Sequence, residues 1–158
     1  MVEPSKELQL VFDKSIKDAQ KLQHEYITLE HLLFAMLCEE NLVNLLKMYG
    51  GDTEYIKHNL EHHLKTQCDN IIIQEKKFKP KKTATVERVL NRAFTQVLFA
   101  GRQHIELTDV LLSILSEKKS ISTYYLEKGG LEKNKFADFI NNELQEEDMQ
   151  EEEMSGEA

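Results

Sequence analysis

A chain of 158 residues, 41% hydrophobic and 30% charged, suits one soluble domain with a real core or two very small ones. No run approaches the ~20 apolar residues of a membrane span, and "MVEPSKELQL" lacks the basic and apolar segments of a secretory signal. The net charge of −8 resides in the tail, because Glu143 to Ala158 holds eight acidic residues and no Lys or Arg, leaving 20 acidic against 20 basic residues in the body. A neutral body argues against nucleic-acid binding, which needs a basic footprint. Cys38 and Cys68 are too few for a disulfide framework and are expected as reduced thiols, which points to a cytoplasmic compartment.

Helix-period spacing dominates the chain. Leu8, Val11, Phe12, Ile16 and Ala19 predict a first long helix over about Ser5 to Leu22. In "HEYITLEHLLFAML", His24 to Leu37, Thr28 is the expected N-cap of a second helix. Glu30 falls in its first turn, where the helix dipole favours an acid, and Leu29, Leu32, Leu33, Met36 and Leu37 form its buried face. A short third helix over about Asn41 to Tyr49 stops at Gly50-Gly51, and a fourth covers about Thr53 to Lys65. The connector that follows, residues 66–84, contains one strand-like run, "NIII" at Asn70 to Ile73. It also holds five lysines between Lys76 and Lys82 around Pro80, and is expected to be solvated.

The pattern then returns. A long helix over about Thr85 to Ala100 ends at Gly101 as a left-handed cap. "HIELTDVLLSIL", His104 to Leu115, is a second helix with Thr108 as its expected N-cap and Asp109 in the first turn. A third lies near Ser122 to Lys128 before Gly129-Gly130, and a fourth covers about Glu132 to Leu144. Residues 147–158 carry acid and almost no core-forming side chains, so a disordered acidic linker is expected there.

The halves superimpose under a shift of 78: Leu8 on Val86, Phe12 on Leu90, Ala19 on Val97, Ile27 on Ile105, Leu33 on Leu111, Leu37 on Leu115. The shift becomes 79 at the paired glycines and 80 at Ile56 on Phe136, Leu60 on Ile140 and Leu64 on Leu144. Agreement over such a length marks a duplicated unit. The expected fold is all-α: two pseudo-symmetric four-helix repeats, about 5–65 and 85–145, packed face to face as one eight-helix domain over residues 1–146.

Most catalytic chemistry finds no support. An ATPase needs G-x-x-x-x-G-K-[ST] to cradle phosphate, and none of the six glycines begins that motif. Neither cysteine sits in a nucleophile signature. His58 and His62 are four apart on one helix and are the candidates for a zinc site, but there is no H-E-x-x-H motif and no specified third ligand, so a solvated polar face is the simpler reading. His24 and His31 read as surface or capping groups, and Tyr124, Tyr125, Phe136 and Phe139 as core and rim. What remains is an interaction module, with Glu25, Glu30, Thr83 and Arg88 as polar candidates beside helix starts.

The run "HEYITLEHLL", with "ELQL", "RVLNRAF", "AGRQHIELTDVL", "SEKKSISTYYLEK" and "FINNEL", resembles the Clp ATPase amino-terminal domain over about Lys6 to Leu144. "LTDVLLSIL" in place of a second T-E-H-[IL]-L box, and the long connector, make it most similar to the ClpA branch. The resemblance implies a non-catalytic docking domain of a hexameric AAA+ unfoldase that feeds the ClpP peptidase. It implies a ClpS-type adaptor and protein substrates as partners, and an adaptor face that includes Glu25, Glu30, Thr83 and Arg88. It also implies no cofactor for this chain, with ATP and Mg handled by ATPase modules that are absent here, so that the chain looks like an excised domain or truncated product. The alternatives are a free-standing adaptor or regulatory protein of the same fold, or a zinc-binding module centred on His58 and His62.

Overall fold

The computed structural model describes residues 1–156, with side chains described through Leu144 and at Glu146. In chain order the elements are β1 (Glu3–Pro4), α1 (Lys6–Lys21), β2 (Tyr26–Ile27), α2 (Leu29–Met36), α3 (Glu40–Tyr49), α4 (Thr53–Thr66), β3 (Lys81–Lys82), α5 (Ala84–Phe99), β4 (His104–Ile105), α6 (Leu107–Leu115), α7 (Ile121–Lys128) and α8 (Lys133–Gly156). The doubled four-helix plan is therefore present, with four two-residue strands added.

The repeats obey the same local rules. Ser5 and Thr83, 78 apart, cap α1 and α5, each side chain accepting from the backbone N–H three residues on (Leu8, 3.1 Å; Val86, 3.2 Å). Gly50 ends α3 at φ 102°, a conformation open to glycine without steric cost. The N-cap of α6 corrects the sequence expectation. It is Glu106, not Thr108, and the Asp109 carboxylate accepts the Glu106 N–H at 2.8 Å. A shift of 78 sets Glu106 opposite Thr28, whereas Thr108 takes the place of Glu30 inside the helix.

The strands cross between repeats. β1 pairs in parallel with β4, and β2 with β3. Because β1 is equivalent to β3 and β2 to β4, each pair joins one repeat to the other. A single apolar core follows: Leu8, Val11, Leu32, Leu33 and Met36 pack in one cluster with Val86, Val89, Val110, Leu111 and Ile114. Burying such side chains contributes roughly 1.5–3 kcal/mol each.

Two segments differ in part from the sequence expectation. The five connector lysines are exposed, as expected, but the connector backbone is tied down. The connector is held against the first repeat. Gln23 Nε2 donates to the carbonyls of Ile73 (3.0 Å) and Glu75 (2.9 Å), and Gln20 Nε2 to that of Phe78 (3.1 Å). Asp69–Ile71 is a 3-10 turn, and Ile72 bridges antiparallel to His24, so "NIII" is strand-like at one point only. At the other end, α8 continues through residues 147–156, read above as part of a disordered linker. Glu, Gln and Met are good helix formers, and no breaker intervenes before Gly156. Residues 157–158 lie outside the described residues.

Candidate docking site

The N-termini of α2, α5 and α7 converge on a shallow depression of about 310 Å³. Thr28 and Glu30 come from α2 and its cap, Thr83 and Thr85 from α5 and its cap, and Lys119 and Ile121 from the start of α7. Both repeats thus build it. Helix N-termini carry partial positive charge and unpaired N–H groups, and hydroxyls beside them bind polar partners readily. Ile121 is 42% exposed and gives the rim an apolar contact.

Of the four residues singled out from sequence, the structure brings Glu30 and Thr83 into this depression. Thr83 is half-buried and already engaged as the α5 N-cap. Glu25 and Arg88 do not line it. Glu25 is half-buried, and its backbone is used up: its N–H donates to Ile71 O (2.7 Å) and its C=O accepts from Lys81 N (3.0 Å). Arg88 is exposed but makes a two-pronged ion pair with Glu117, at 2.9 and 2.8 Å. Arg92 reaches the same carboxylate at 2.8 Å. The Arg88 hydrogen bond leads the causes that hold Glu117 at about 2, well below the usual carboxylate range.

Glu30 corrects the reading of an exposed acceptor, since only 13% of its side chain is accessible. Its Oε2 accepts from Ser122 Oγ at 2.7 Å, and its Oε1 lies 3.6 Å from His63 Nε2. Burial pushes its carboxyl pKa up, but the His63 and Ser122 hydrogen bonds outweigh burial and leave it below the ordinary value. The Glu30 hydrogen bond raises His63 in turn.

The neighbouring histidines are also interior. His24 and His31 are 2% and 0% exposed, so His24 is no surface group, while His31 does cap. The Thr28 N–H donates to His31 Nδ1 at 2.9 Å. A backbone N–H can only donate, so Nδ1 is unprotonated and the ring proton sits on Nε2, which donates to His24 Nδ1 at 2.8 Å. Burial lowers both pKa values, that of His31 to about 4. The relay is therefore neutral and structural. His58 and His62 face solvent on α4, and among the described residues no third metal-ligating side chain joins them.

Sequence reasoning missed Thr85, Lys119 and Ile121. Lys119 lies in "SEKKS", a short loop without periodicity, and only the fold brings it beside α2. Among the described residues no helix is long and apolar enough to cross a membrane.

Known proteins share this architecture. A ClpA homolog protein from Fuscovulum blasticum is 28% identical over 122 residues, which cover 77% of this chain but 15% of the relative, so the chain spans a small part of that protein's length. The Hsp104 N-terminal domain from Candida albicans superimposes with a TM-score of 0.72 at 13% identity, covering 87% of this chain and 88% of that one. A ClpV N-domain solved in complex with a VipB peptide superimposes at 0.64 and 16% identity, covering 83% and 80%. At such identities the structures establish a common fold. Residues 3–129, a span that takes in helices of both repeats, match the model of the Clp repeat (R) N-terminal domain. On that match the chain belongs to the family of Clp repeat N-terminal domains.

Proposed function

We propose that this chain is the non-catalytic docking domain of a ClpA-like AAA+ unfoldase, working in the cytoplasm. It binds a ClpS-type adaptor and protein substrates and delivers them for ATP-dependent unfolding and ClpP proteolysis. ATP and Mg are handled by ATPase modules outside this sequence. The observation that carries the reading is the depression where three helix N-termini from two repeats bring together Thr85, Lys119 and the apolar rim of Ile121. The relative at 28% identity is a ClpA homolog, and a ClpV domain of the same fold was solved with a peptide, which supports a peptide- or adaptor-binding role.

The mechanism is positional. A docking domain tethered to a ring raises the effective concentration of its cargo there, and needs no chemistry of its own. The mixed signs at the site, Lys119 in the depression with Glu25 and the Arg88–Glu117 pair outside it, favour orientation of a partner over raw affinity.

The test is titration of a cognate ClpS against the parent chain and the surface variants Glu25→Lys and Lys119→Glu. Expected is a loss of binding of about tenfold or more in Lys119→Glu and a smaller loss in Glu25→Lys. Equal binding by all three removes the site, and no binding by any removes the adaptor role.

A further inference from the structure

The duplication supplies an internal comparison that exposes one unpartnered edge. After α1 and after α5 the backbone follows the same path, bond for bond. His24 N–H donates to Ala19 O and Arg102 N–H to Val97 O; Gln23 N–H donates to Gln20 O and Gly101 N–H to Leu98 O. Gln23 and Gly101 both adopt positive φ, 60° and 72°. On one side the incoming strand is also matched, since Lys81 N–H donates to Glu25 O and Glu3 N–H to Gln103 O.

On the other side the repeats differ. In the first repeat Ile71–Ile73 lies along Gln23–Glu25 around a single antiparallel bridge between Ile72 and His24: Glu25 N–H donates to Ile71 O at 2.7 Å, and Ile73 N–H to Gln23 O at 2.9 Å. Ile71 and Ile73 are half-buried against the body while Ile72 points outward, the alternation of a strand. In the second repeat the equivalent groups are Gln103 N–H and Gly101 C=O, and among the described residues neither makes such a bond. Gly101, Arg102, Gln103 and His104 are all exposed, whereas His24 is buried.

The side chains beside this edge change as well. Where the first repeat has Gln20 and Lys21, the second has Leu98 and Phe99. They are 53% and 85% exposed, and Phe94, one turn back, is 41% exposed. Contiguous exposed apolar side chains mark interaction sites, and an unpaired strand edge is a template for another chain. The occupant's chemistry can be read from the first repeat, where Ile71, Ile72 and Ile73, as the chain leaves its 3-10 turn, fill the place.

We propose that Gly101–Gln103, with Phe94, Leu98 and Phe99, docks an extended apolar, β-branched peptide segment of a partner protein by adding it as an antiparallel strand. The inference stands apart from the adaptor reading, because none of these residues lines the depression at the α2, α5 and α7 N-termini.

The test uses a labelled synthetic peptide with the sequence Asp69–Glu75 as the probe, followed by anisotropy and by backbone amide shifts. Saturable binding is expected, with shifts at Gly101–Gln103. The double variant Leu98→Ser, Phe99→Ser removes the apolar flank of the edge and is expected to weaken binding by about tenfold or more. A peptide N-methylated at the position of Ile73 loses the donor to Gly101 O and is expected to weaken comparably. Glu25→Lys is expected to bind the peptide as the parent does, so the adaptor reading and this one fail separately. No saturable binding, binding indifferent to either change, or shifts confined to Gln23–Glu25 overturns the proposal. So does a parent dimer, seen in sedimentation, that the double variant dissociates, because the face then belongs to a second copy.

Discussion

Ser122 Oγ donates to Glu30 Oε2 across 2.7 Å, and that bond joins α7 of the second repeat to α2 of the first. Glu30 thus works as an interior strut, although it also lines the depression. Removing a buried, charged hydrogen-bond acceptor leaves its donors unmatched. Glu30→Ala is expected to lower unfolding free energy by about 2 kcal/mol in urea denaturation, and Glu30→Gln by less, because an amide oxygen still accepts from Ser122. Equal losses would show that Ser122 adds nothing.

Acid is expected to weaken the fold through two of the histidines. Folded His31 sits at about 4 against an ordinary 6.5, and burial lowers His24 too. The unfolded chain therefore binds protons first as pH falls, and stability is lost between about 6.5 and 4. His63 opposes this. Its folded value is raised, so its contribution is complete below 6.5 and fades as pH rises through the folded value. The carboxylates of Glu30 and Glu117, both lowered, add stability above 4.5 that is lost as pH falls through their folded values. Between pH 7 and pH 5 the urea midpoint is expected to drop in the parent, to drop less in His31→Asn, and to drop more in His63→Gln.

Gly129 is expected to tolerate no side chain without cost. A Cβ placed on it would stand 2.5 Å from Ile56 Cδ1 and Cγ1, and Ile56 is fully buried. The contact also bridges the repeats, with Asp52 N–H donating to Gly129 O at 2.8 Å. Gly129→Ala should lower stability by about 1–3 kcal/mol. Adding Ile56→Val makes room, and the double variant should lose less than the sum of the singles in a double-mutant cycle.

Gln23 holds a left-handed backbone that its counterpart Gly101 adopts freely. Its side chain compensates by binding two connector carbonyls. Gln23→Ala keeps the strain and loses both bonds, for an expected cost of about 1–2 kcal/mol. Gln23→Gly relieves the strain and should cost less. Both should speed hydrogen exchange at Ile73, and an unchanged rate would show that the connector is held by other means.

The helices and their doubling were legible because apolar side chains repeat at helical spacing and again 78 residues on. Thr28 and Gly101 announced boundaries by their chemistry. Other features had no local signature. A two-residue strand has no period, so the pairing of β1 with β4 was invisible. Thr108 looked like a cap because a hydroxyl at a helix start usually is one, yet register favoured Glu106, whose partner Asp109 completes the box. Glu30 and an exposed glutamate read alike until Ser122 and His63 arrive from distant sequence. Lys119 joined the candidate site for the same reason, through tertiary contact alone.

The strand exchange bears on how the protein is made. Its opening residues meet their mate only after Ile105 has been polymerised, and domains generally assemble as units during synthesis. The leading copy therefore leaves the ribosome with its seam unzipped and must wait for its twin. Neither copy can be cut out, permuted or inherited alone without leaving the other half-dressed.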